Sequence, residues 1–272
     1  MSKSNRVIGI AGCGAIGQKV ASELDAGGVP GAALGGITSR SLDRAERFAS
    51  TLDCRPPVVK LGRLVEIVDL VVEAAPASAM ESIAVATLSA GKDLMALSGG
   101  ALLQRDDLLD LAEKNDAMIY VPSGAIAGLD GVAGASAGRI DSITMITRKP
   151  PEGLKGAPGV EVSGVNLDAV SEPTVIYEGP VLEACRLFPA NVNVSAALSM
   201  AGIGPHKTRI RIYADPTVDK NTHNIVVEGE FGRLSILIEN TPSETNPRTG
   251  KLSALSALAT LRRITSHLQV GT

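Results

Sequence analysis

A glycine-rich segment near the start of the chain is the first candidate for binding chemistry. It reads Gly12-Cys13-Gly14-Ala15-Ile16-Gly17, follows a short apolar run, and is itself followed by apolar residues at helical spacing. In such a strand-to-helix turn the three glycines permit a tight turn, let a pyrophosphate approach the backbone and let helix and strand pack closely. The amides at the helix start also attract anions. We therefore predict that Gly12, Gly14, Ala15, Ile16 and Gly17 hold the pyrophosphate of a dinucleotide, NAD or NADP.

The residues after the second predicted strand bear on which dinucleotide is used. NAD sites usually carry an acidic residue about 20 positions after the glycines, where it binds the ribose hydroxyls. Here the chain reads Thr38-Ser39-Arg40-Ser41 instead. A guanidinium suits a 2′-phosphate, so Arg40 favours NADP, or both cofactors, over strict NAD use. The alternative is a solvated Arg40 in the first turn of a helix. Ala75, after the third predicted strand, is a further expected cofactor contact.

Three histidines are candidates for proton transfer, because imidazole titrates near neutral pH. His206 follows a Gly-Pro pair in a connection, and His267 falls near the end of the last helix, so both are expected to be structural or on the surface. His223 lies at the entry to an amphipathic strand, where its side chain can project into a cleft. From the residues alone, a structural histidine and a catalytic one explain His223 equally well.

Two polar, glycine-bearing or asparagine-bearing stretches lie in the second half, at 122–131 and 188–193. The first begins at the carboxyl end of a predicted parallel strand, where open α/β sheets place their ligands. The second puts Asn191 or Asn193 at a helix start, which fits either a helix cap or a cofactor contact.

Two adjacent cations, Arg148 and Lys149, precede a Pro-Pro pair. They could pair with substrate carboxylates, although exposure to solvent is the commoner fate of such residues. We predict no metal site and no disulfide. The three cysteines are odd in number, widely spaced and lack a Cys-x-x-Cys pair, so reduced thiols are expected.

Composition limits the classes of protein that fit. The 272 residues contain 44% hydrophobic and only 2% aromatic residues, with no Trp, which suits aliphatic parallel strands covered by helices. The formal net charge of -3 and the scarcity of aromatic residues argue against nucleic-acid binding. No apolar stretch approaches the roughly 18 residues of a membrane span, and the polar start does not resemble a signal peptide. We therefore expect a cytoplasmic protein that acts on a small molecule, with no membrane partner.

The elements that must position these residues change character near residue 122. Predicted strands at 7–11, 32–37, 68–73, 94–98 and 118–121 alternate with helical patterns, which indicates an N-terminal Rossmann dinucleotide-binding domain over 1–122. Successive amphipathic strands at 209–213, 225–231 and 233–239 then indicate a second, mixed α/β domain over 123–250, built on a largely antiparallel sheet.

The end of the chain is predicted to contain a loop at 240–250 and then a helix within 251–272 that packs back on the N-terminal domain. Leu255, Leu258, Leu261 and Ile264 are expected to form its inward face.

In order along the chain, the segments 12–17, 122–131, 147–151, 188–193 and 221–223 together resemble the L-aspartate dehydrogenase family. This resemblance covers nearly the whole sequence. It implies a homodimer that oxidises L-aspartate with NAD or NADP to iminoaspartate, and that runs the reverse reductive amination. The imine either hydrolyses to oxaloacetate and ammonia or feeds NAD biosynthesis. The family's active-site histidine matches His223, and its cofactor contacts match Ala127 and Asn193.

Two other interpretations stay open at this point. One is another Rossmann-type reductase, such as a relative of homoserine dehydrogenase or dihydrodipicolinate reductase. The latter should carry a paired-histidine, lysine-bearing motif, which the sequence does not show. The other is a non-catalytic protein that senses NAD(P), which would have no need for His223.

Overall fold

The chain forms two compact units. The computed structural model describes residues 5–103, 105–189, 192–241 and 250–271. One unit comprises Met1–Pro122 with Ala254–Gln269, and the other comprises Ser123–Ser253 with Val270–Thr272. The first unit is thus built from two separate stretches of chain.

The first unit is a parallel sheet with helices between its strands. Its elements are β1 (Arg6–Ala11), α1 (Ala15–Asp25), β2 (Ala32–Thr38), α2 (Leu42–Ala49), α3 (Leu61–Ile67), β3 (Leu70–Glu73), α4 (Ala77–Ser89), β4 (Asp93–Ala96), α5 (Gly99–Leu102), α6 (Asp107–Lys114) and β5 (Ile119–Tyr120). The strand order is β2-β1-β3-β4-β5, and each described strand pair is parallel. The predicted Rossmann fold of this part of the chain is confirmed.

Both faces of this sheet are buried by aliphatic side chains. Every residue of β3 is buried, as expected for a central parallel strand. Ile10 and Val72 belong to one core cluster together with apolar residues of α1, and Val71 and Leu94 belong to another with those of α4. The rigid sheet fixes the carboxyl ends of its strands, where the glycine loop, Arg40 and Ala75 lie.

The C-terminal helix α11 (Lys251–Thr265) completes the core of the first unit. Ala257, Leu258 and Leu261 are buried in the cluster that contains Ile10. The expectation that Leu255 faces inward is wrong, because its side chain is 51% exposed. The buried residues of α11 include Ala257, two positions after Leu255, together with Leu258 and Leu261 as expected.

The second unit is built around a mixed sheet. Its elements are α7 (Leu129–Ala135), β6 (Ile140–Lys149), α8 (Pro158–Ser163), β7 (Thr174–Pro180), α9 (Val181–Leu187), α10 (Asn193–Ala201), β8 (Arg209–Ala214), β9 (Asn221–Gly229) and β10 (Gly232–Asn240), with short 3-10 helices at Pro151–Leu154 and Leu167–Ala169. The strand order is β10-β9-β6-β8-β7, in which β6 and β8 are parallel and the other pairs are antiparallel. The predicted mixed α/β architecture is confirmed.

One face of the second sheet is apolar and buried, except at one end. Met145, Ile225 and Ile212 lie on the buried face, whereas the neighbouring residues on the other face are partly or fully exposed. Towards the end of β6 the buried positions become polar, at Thr147 and Lys149. Because side chains alternate between the two faces of β6, Thr147 and Lys149 lie on the buried face although both are polar.

Several sequence-based boundaries differ from the structure. Neither α3 nor the ten-residue strand β6 was predicted from the sequence. The predicted loop at 240–250 begins where β10 ends at Asn240, and residues 242–249 lie outside the described residues. In the described part of the chain, no helix combines the length and apolar character needed to cross a membrane.

Candidate active site

The glycine loop between β1 and α1 leaves no room for side chains at two of its glycines. Gly12 has φ 118°, and a Cβ built on it would lie 2.3 Å from the Ala74 carbonyl oxygen. A Cβ on Gly17 would lie 2.0 Å from the Gly12 carbonyl oxygen. A Cβ on Gly14, by contrast, would meet nothing within 4 Å. The open side of the loop at Gly14 is where a pyrophosphate can approach the backbone.

A cavity of about 560 Å³ lies beside this loop. Gly12, Gly14, Arg40 and Ala75 all line it, so the structure brings four predicted cofactor residues together. The other three predicted positions, Ala15, Ile16 and Gly17, form the first turn of α1, which carries no acidic residue. An anion at this helix start therefore meets backbone amides without a competing carboxylate.

Two further cations line the same cavity and were missed by the sequence analysis. These are Arg44 and Lys60, and among the described residues no carboxylate lines the cavity. Arg44 lies in α2, four positions after Arg40, and this short spacing could have indicated it. Lys60 precedes α3, which the sequence analysis did not identify. Ser41 also lines the cavity, and its side chain does not cap α2. These residues fit a dinucleotide with an added phosphate on its ribose.

A buried carboxylate, Glu73, fixes the loops at the end of β3 and β4. Its side chain accepts hydrogen bonds from the amides of Ala75 (3.1 Å), Leu97 (3.1 Å) and Ser98 (2.9 Å), and from the Ser98 hydroxyl (3.0 Å). Burial raises the pKa of Glu73 to about 7, although these hydrogen bonds favour the ionised form. Because the Ala74-Ala75 peptide lies against Gly12, Glu73 also sets the wall of the cavity.

Ala127 and Asn193 both belong to the second unit. Ala127 is exposed in the connection before α7, and Asn193 is the first residue of α10. A Cβ on Gly124, in the same connection, would lie 3.2 Å from the Val194 side chain, so the connection rests on the start of α10. Asn191, the alternative candidate for this helix start, lies outside the described residues. The residue that precedes α10 is Val192, so Asn193 is not its cap residue.

His223 and Lys149 occupy the polar end of the buried face in the second sheet. His223 on β9 pairs with Thr147 on β6, and the Thr147 hydroxyl and His223 Nδ1 share a hydrogen bond of 3.1 Å. Lys149 lies two residues further along β6 and therefore on the same face. The exposed fractions are 2% for Thr147, 5% for Lys149 and 3% for His223. Thr147 was not predicted, because its place opposite His223 depends on the strand register.

Burial lowers the pKa values of both Lys149 and His223. It lowers the pKa of Lys149 to about 8. Burial, together with the positive charge of Lys149, lowers the pKa of His223 to about 3. His223 is thus a neutral imidazole at physiological pH, whereas Lys149 exchanges its proton close to neutrality.

Arg148 lies on the other face of β6. Its guanidinium donates to the Asp215 carboxylate at 2.9 Å and stacks over the Tyr213 ring, 4.6 Å from the ring centroid. These contacts engage Arg148 away from His223. Of the two cations that the sequence offered as substrate contacts, Lys149 is the one beside the histidine. His206 and His267 are both exposed.

Two family models match successive stretches of the chain. A family model described as "Homoserine dehydrogenase, NAD binding domain" matches residues 12–122, and one described as "Aspartate dehydrogenase, C-terminal" matches residues 130–264. An L-aspartate dehydrogenase of Methanosarcina acetivorans is 46% identical over 97% of this chain and 99% of its own. The chain belongs to the L-aspartate dehydrogenase family. A second member, from Bradyrhizobium diazoefficiens, is 44% identical over 97% of this chain and 94% of its own.

Solved structures give the same fold. The aspartate dehydrogenase of Thermotoga maritima is 25% identical, covers 98% of this chain and 99% of its own, and superposes with a TM-score of 0.72. A homoserine dehydrogenase of Thiobacillus denitrificans superposes with a TM-score of 0.64 at 15% identity, over 96% of this chain and 73% of its own. That second likeness concerns the fold alone. The matches to the two L-aspartate dehydrogenases named above cover 97% of this chain. They therefore include the glycine loop, His223 and α11.

Proposed function

We propose that the chain oxidises L-aspartate to iminoaspartate with NADP or NAD, and that it also runs the reverse reductive amination. The imine is hydrolysed to oxaloacetate and ammonia, or passes to NAD biosynthesis. The observation that carries the proposal is the setting of His223, which is buried beside Lys149 in a chain 46% identical to an L-aspartate dehydrogenase. We place this reaction in the cytoplasm, as the sequence led us to expect.

The cofactor site is assigned to the cavity of the first unit. Gly12 and Gly14 with the first turn of α1 would hold the pyrophosphate, and Arg40 would hold a 2′-phosphate. Ala127 and Asn193 of the second unit are proposed as further cofactor contacts on the basis of the family resemblance. The bound nicotinamide supplies a two-electron acceptor for the hydride on the substrate Cα.

The substrate site is assigned to the polar end of the second sheet. Aspartate brings two carboxylates and one ammonium, and a buried cation is the natural partner of a carboxylate in a covered region. Lys149 becomes that cation once it has taken up a proton. His223, held by Thr147, presents a neutral imidazole that can hydrogen-bond the ammonium or the water that attacks the imine.

The test is spectrophotometric. Wild-type protein is mixed with L-aspartate and NADP or NAD, and the absorbance of the reduced nicotinamide is followed. H223A should lose at least about 100-fold in kcat, the usual contribution of a positioned proton-transfer group, with its cofactor affinity nearly unchanged. Cofactor binding without turnover of aspartate would favour a sensing protein. Turnover of homoserine in place of aspartate would favour the other reductase.

We also propose that the protein is a homodimer that pairs through the open face of the second sheet. That face carries Leu237, which is 69% exposed, and Val175, which is 42% exposed. Exposed apolar side chains on a sheet face are typical of interfaces between subunits. Light scattering of L237E should show monomers at concentrations where wild type is dimeric. A matched substitution at Leu109, 58% exposed on α6 of the first unit, should leave the dimer intact.

A further inference from the structure

The buried face of the second sheet changes from apolar to polar at its end. Met145 on β6 pairs with Ile225 on β9, and two residues further along Thr147 pairs with His223. Lys149 continues the same face and is 5% exposed. The fold therefore carries a long cationic side chain into a covered region next to the proposed active-site histidine, where its burial has an energetic cost.

The reaction needs a group that takes a proton at this place. The α-nitrogen of aspartate arrives as an ammonium, and its lone pair must be free before the Cα hydride can leave. A general base works best when its pKa lies near the working pH. With a pKa of about 3, His223 is a weak proton acceptor. Lys149, with a pKa of about 8, is present in part as the neutral amine at neutral pH.

We propose that Lys149 is the catalytic residue that accepts the proton of the substrate ammonium, with His223, held by Thr147, as its neutral neighbour. This inference deepens the proposed function and depends on it. An N–H bond of the substrate ammonium breaks, and an N–H bond forms on the Lys149 amine, which becomes an ammonium. The lone pair left on the substrate nitrogen then forms the C=N bond. The Cα–H bond then breaks, and its two electrons leave with the hydride, for which a bound oxidised nicotinamide would be the acceptor.

Two sets of charged residues that the structure describes near Lys149 form ion pairs of their own. From the segment after β8, the Asp215 amide donates to the Lys149 carbonyl oxygen at 2.8 Å, while the Asp215 carboxylate binds Arg148 and Thr217. The 3-10 helix after β6 approaches the Lys149 side chain at Gly153.

The charges next to Gly153 form a separate pair. Glu152 and Lys155 lie 2.9 Å apart at the surface, with exposed fractions of 79% and 43%. From β9, His223 is neutral at physiological pH. The lowered pKa of Lys149 thus follows from its burial.

The decisive comparison is between K149R and K149A. Arginine keeps the positive charge but cannot give up its proton, so K149R should bind aspartate with a similar KM yet lose at least about 100-fold in kcat. K149A should lose as much, and added methylamine should restore part of the turnover, since a small amine supplies the missing base. K155A, a lysine of the same unit on the surface, is the matched control and should behave as wild type.

The pH profile gives an independent readout. In wild type, kcat/KM should rise through a pKa of about 8 as Lys149 loses its proton. This rising limb should be absent at that pH in K149R. K149R with wild-type kcat and an unchanged rising limb would overturn the proposal, as would folded K149A that methylamine does not rescue. If K149A does not fold, the K149R profile alone decides.

A measurement without turnover separates this proposal from the proposed function. Succinate, a dicarboxylate without an ammonium, is titrated into the NADP-loaded protein in buffers of different ionisation enthalpy. Near pH 8 its binding should draw a proton onto Lys149, and this uptake should vanish in K149M. Uptake without any turnover of aspartate in wild type would refute the proposed function while leaving Lys149 at an anion site. Equal uptake in wild type and K149M would refute the role of Lys149.

Discussion

Replacing Arg40 with alanine should weaken NADP binding while sparing NAD. Arg40 lines the cavity beside the glycine loop together with Arg44 and Lys60, and no described carboxylate lines it. The two cofactors differ by one phosphate on the ribose. A substitution that removes only a contact with that phosphate must therefore lower the affinity for NADP and leave the affinity for NAD unchanged.

The magnitude follows from the exposure of the side chain. A hydrogen bond to a charged group contributes about 1.5–3 kcal/mol, and exposed ion pairs contribute about 0.2–1 kcal/mol. Arg40 is exposed, so a loss of about 1–2 kcal/mol is expected, which is roughly a 5- to 30-fold rise in the Kd of NADP. Arg44 lines the same cavity from α2, and the double variant R40A/R44A should raise the Kd of NADP roughly 100-fold if both cations contact the added phosphate.

The assay is a direct titration of both cofactors by calorimetry. R47A is the matched control, because Arg47 is exposed on α2, the helix that follows Arg40, and does not line the cavity. At about 0.5 M salt, where the Debye length falls to a few ångströms, the affinity of wild type for NADP should fall more than its affinity for NAD. If R40A weakens NAD and NADP equally, or if R47A matches R40A, the assignment of the 2′-phosphate to Arg40 is refuted.

Three further predictions concern pH and packing. E73Q should weaken cofactor binding roughly tenfold, because the Gln side chain places an N–H donor against backbone N–H donors. The cofactor affinity of wild type should also fall below pH 7, where Glu73 becomes protonated. A Kd of wild type that does not depend on pH would contradict this. L261A should lower the free energy of unfolding, measured by urea titration, by about 2–5 kcal/mol, because Leu261 is 0% exposed. L255A should change it little, because Leu255 is 51% exposed. Equal losses in the two variants would contradict the observed orientation of α11. As pH falls from 6.5 to 4, His223 becomes protonated in the unfolded chain but stays neutral in the folded chain. The free energy of unfolding of wild type should therefore fall by about 3 kcal/mol more than that of H223N. Urea midpoints that change in parallel for the two proteins would contradict this.

The first unit was predictable from local patterns. Its strands are short aliphatic runs separated by helical spacing, and Gly12, Gly14 and Gly17 mark the first turn. Each signal arises within a few residues, which is why it is visible in the sequence. The missed helix α3 is only seven residues long, too short for a clear periodicity.

The strand β6 shows why the second unit was harder to predict. Its buried positions run through Ile143 and Met145 to Thr147 and Lys149, so the apolar alternation breaks where the proposed chemistry lies. His223 was identified through the family resemblance. Its hydrogen bond to Thr147 joins residues 76 positions apart and depends on the pairing of two strands, which a local pattern does not contain.

The position of α11 has a consequence for the order in which the protein can fold during synthesis. The strands of the first unit emerge from the ribosome early, yet the core that contains Ile10 also needs Leu258 and Leu261. Until those residues emerge, one face of the parallel sheet lacks part of its cover. The whole second unit is therefore translated while the first is unfinished, and we expect chaperone binding in that interval. A chain cut at Pro122 would make this temporary exposure permanent, so the cofactor domain should not be obtainable by that cut.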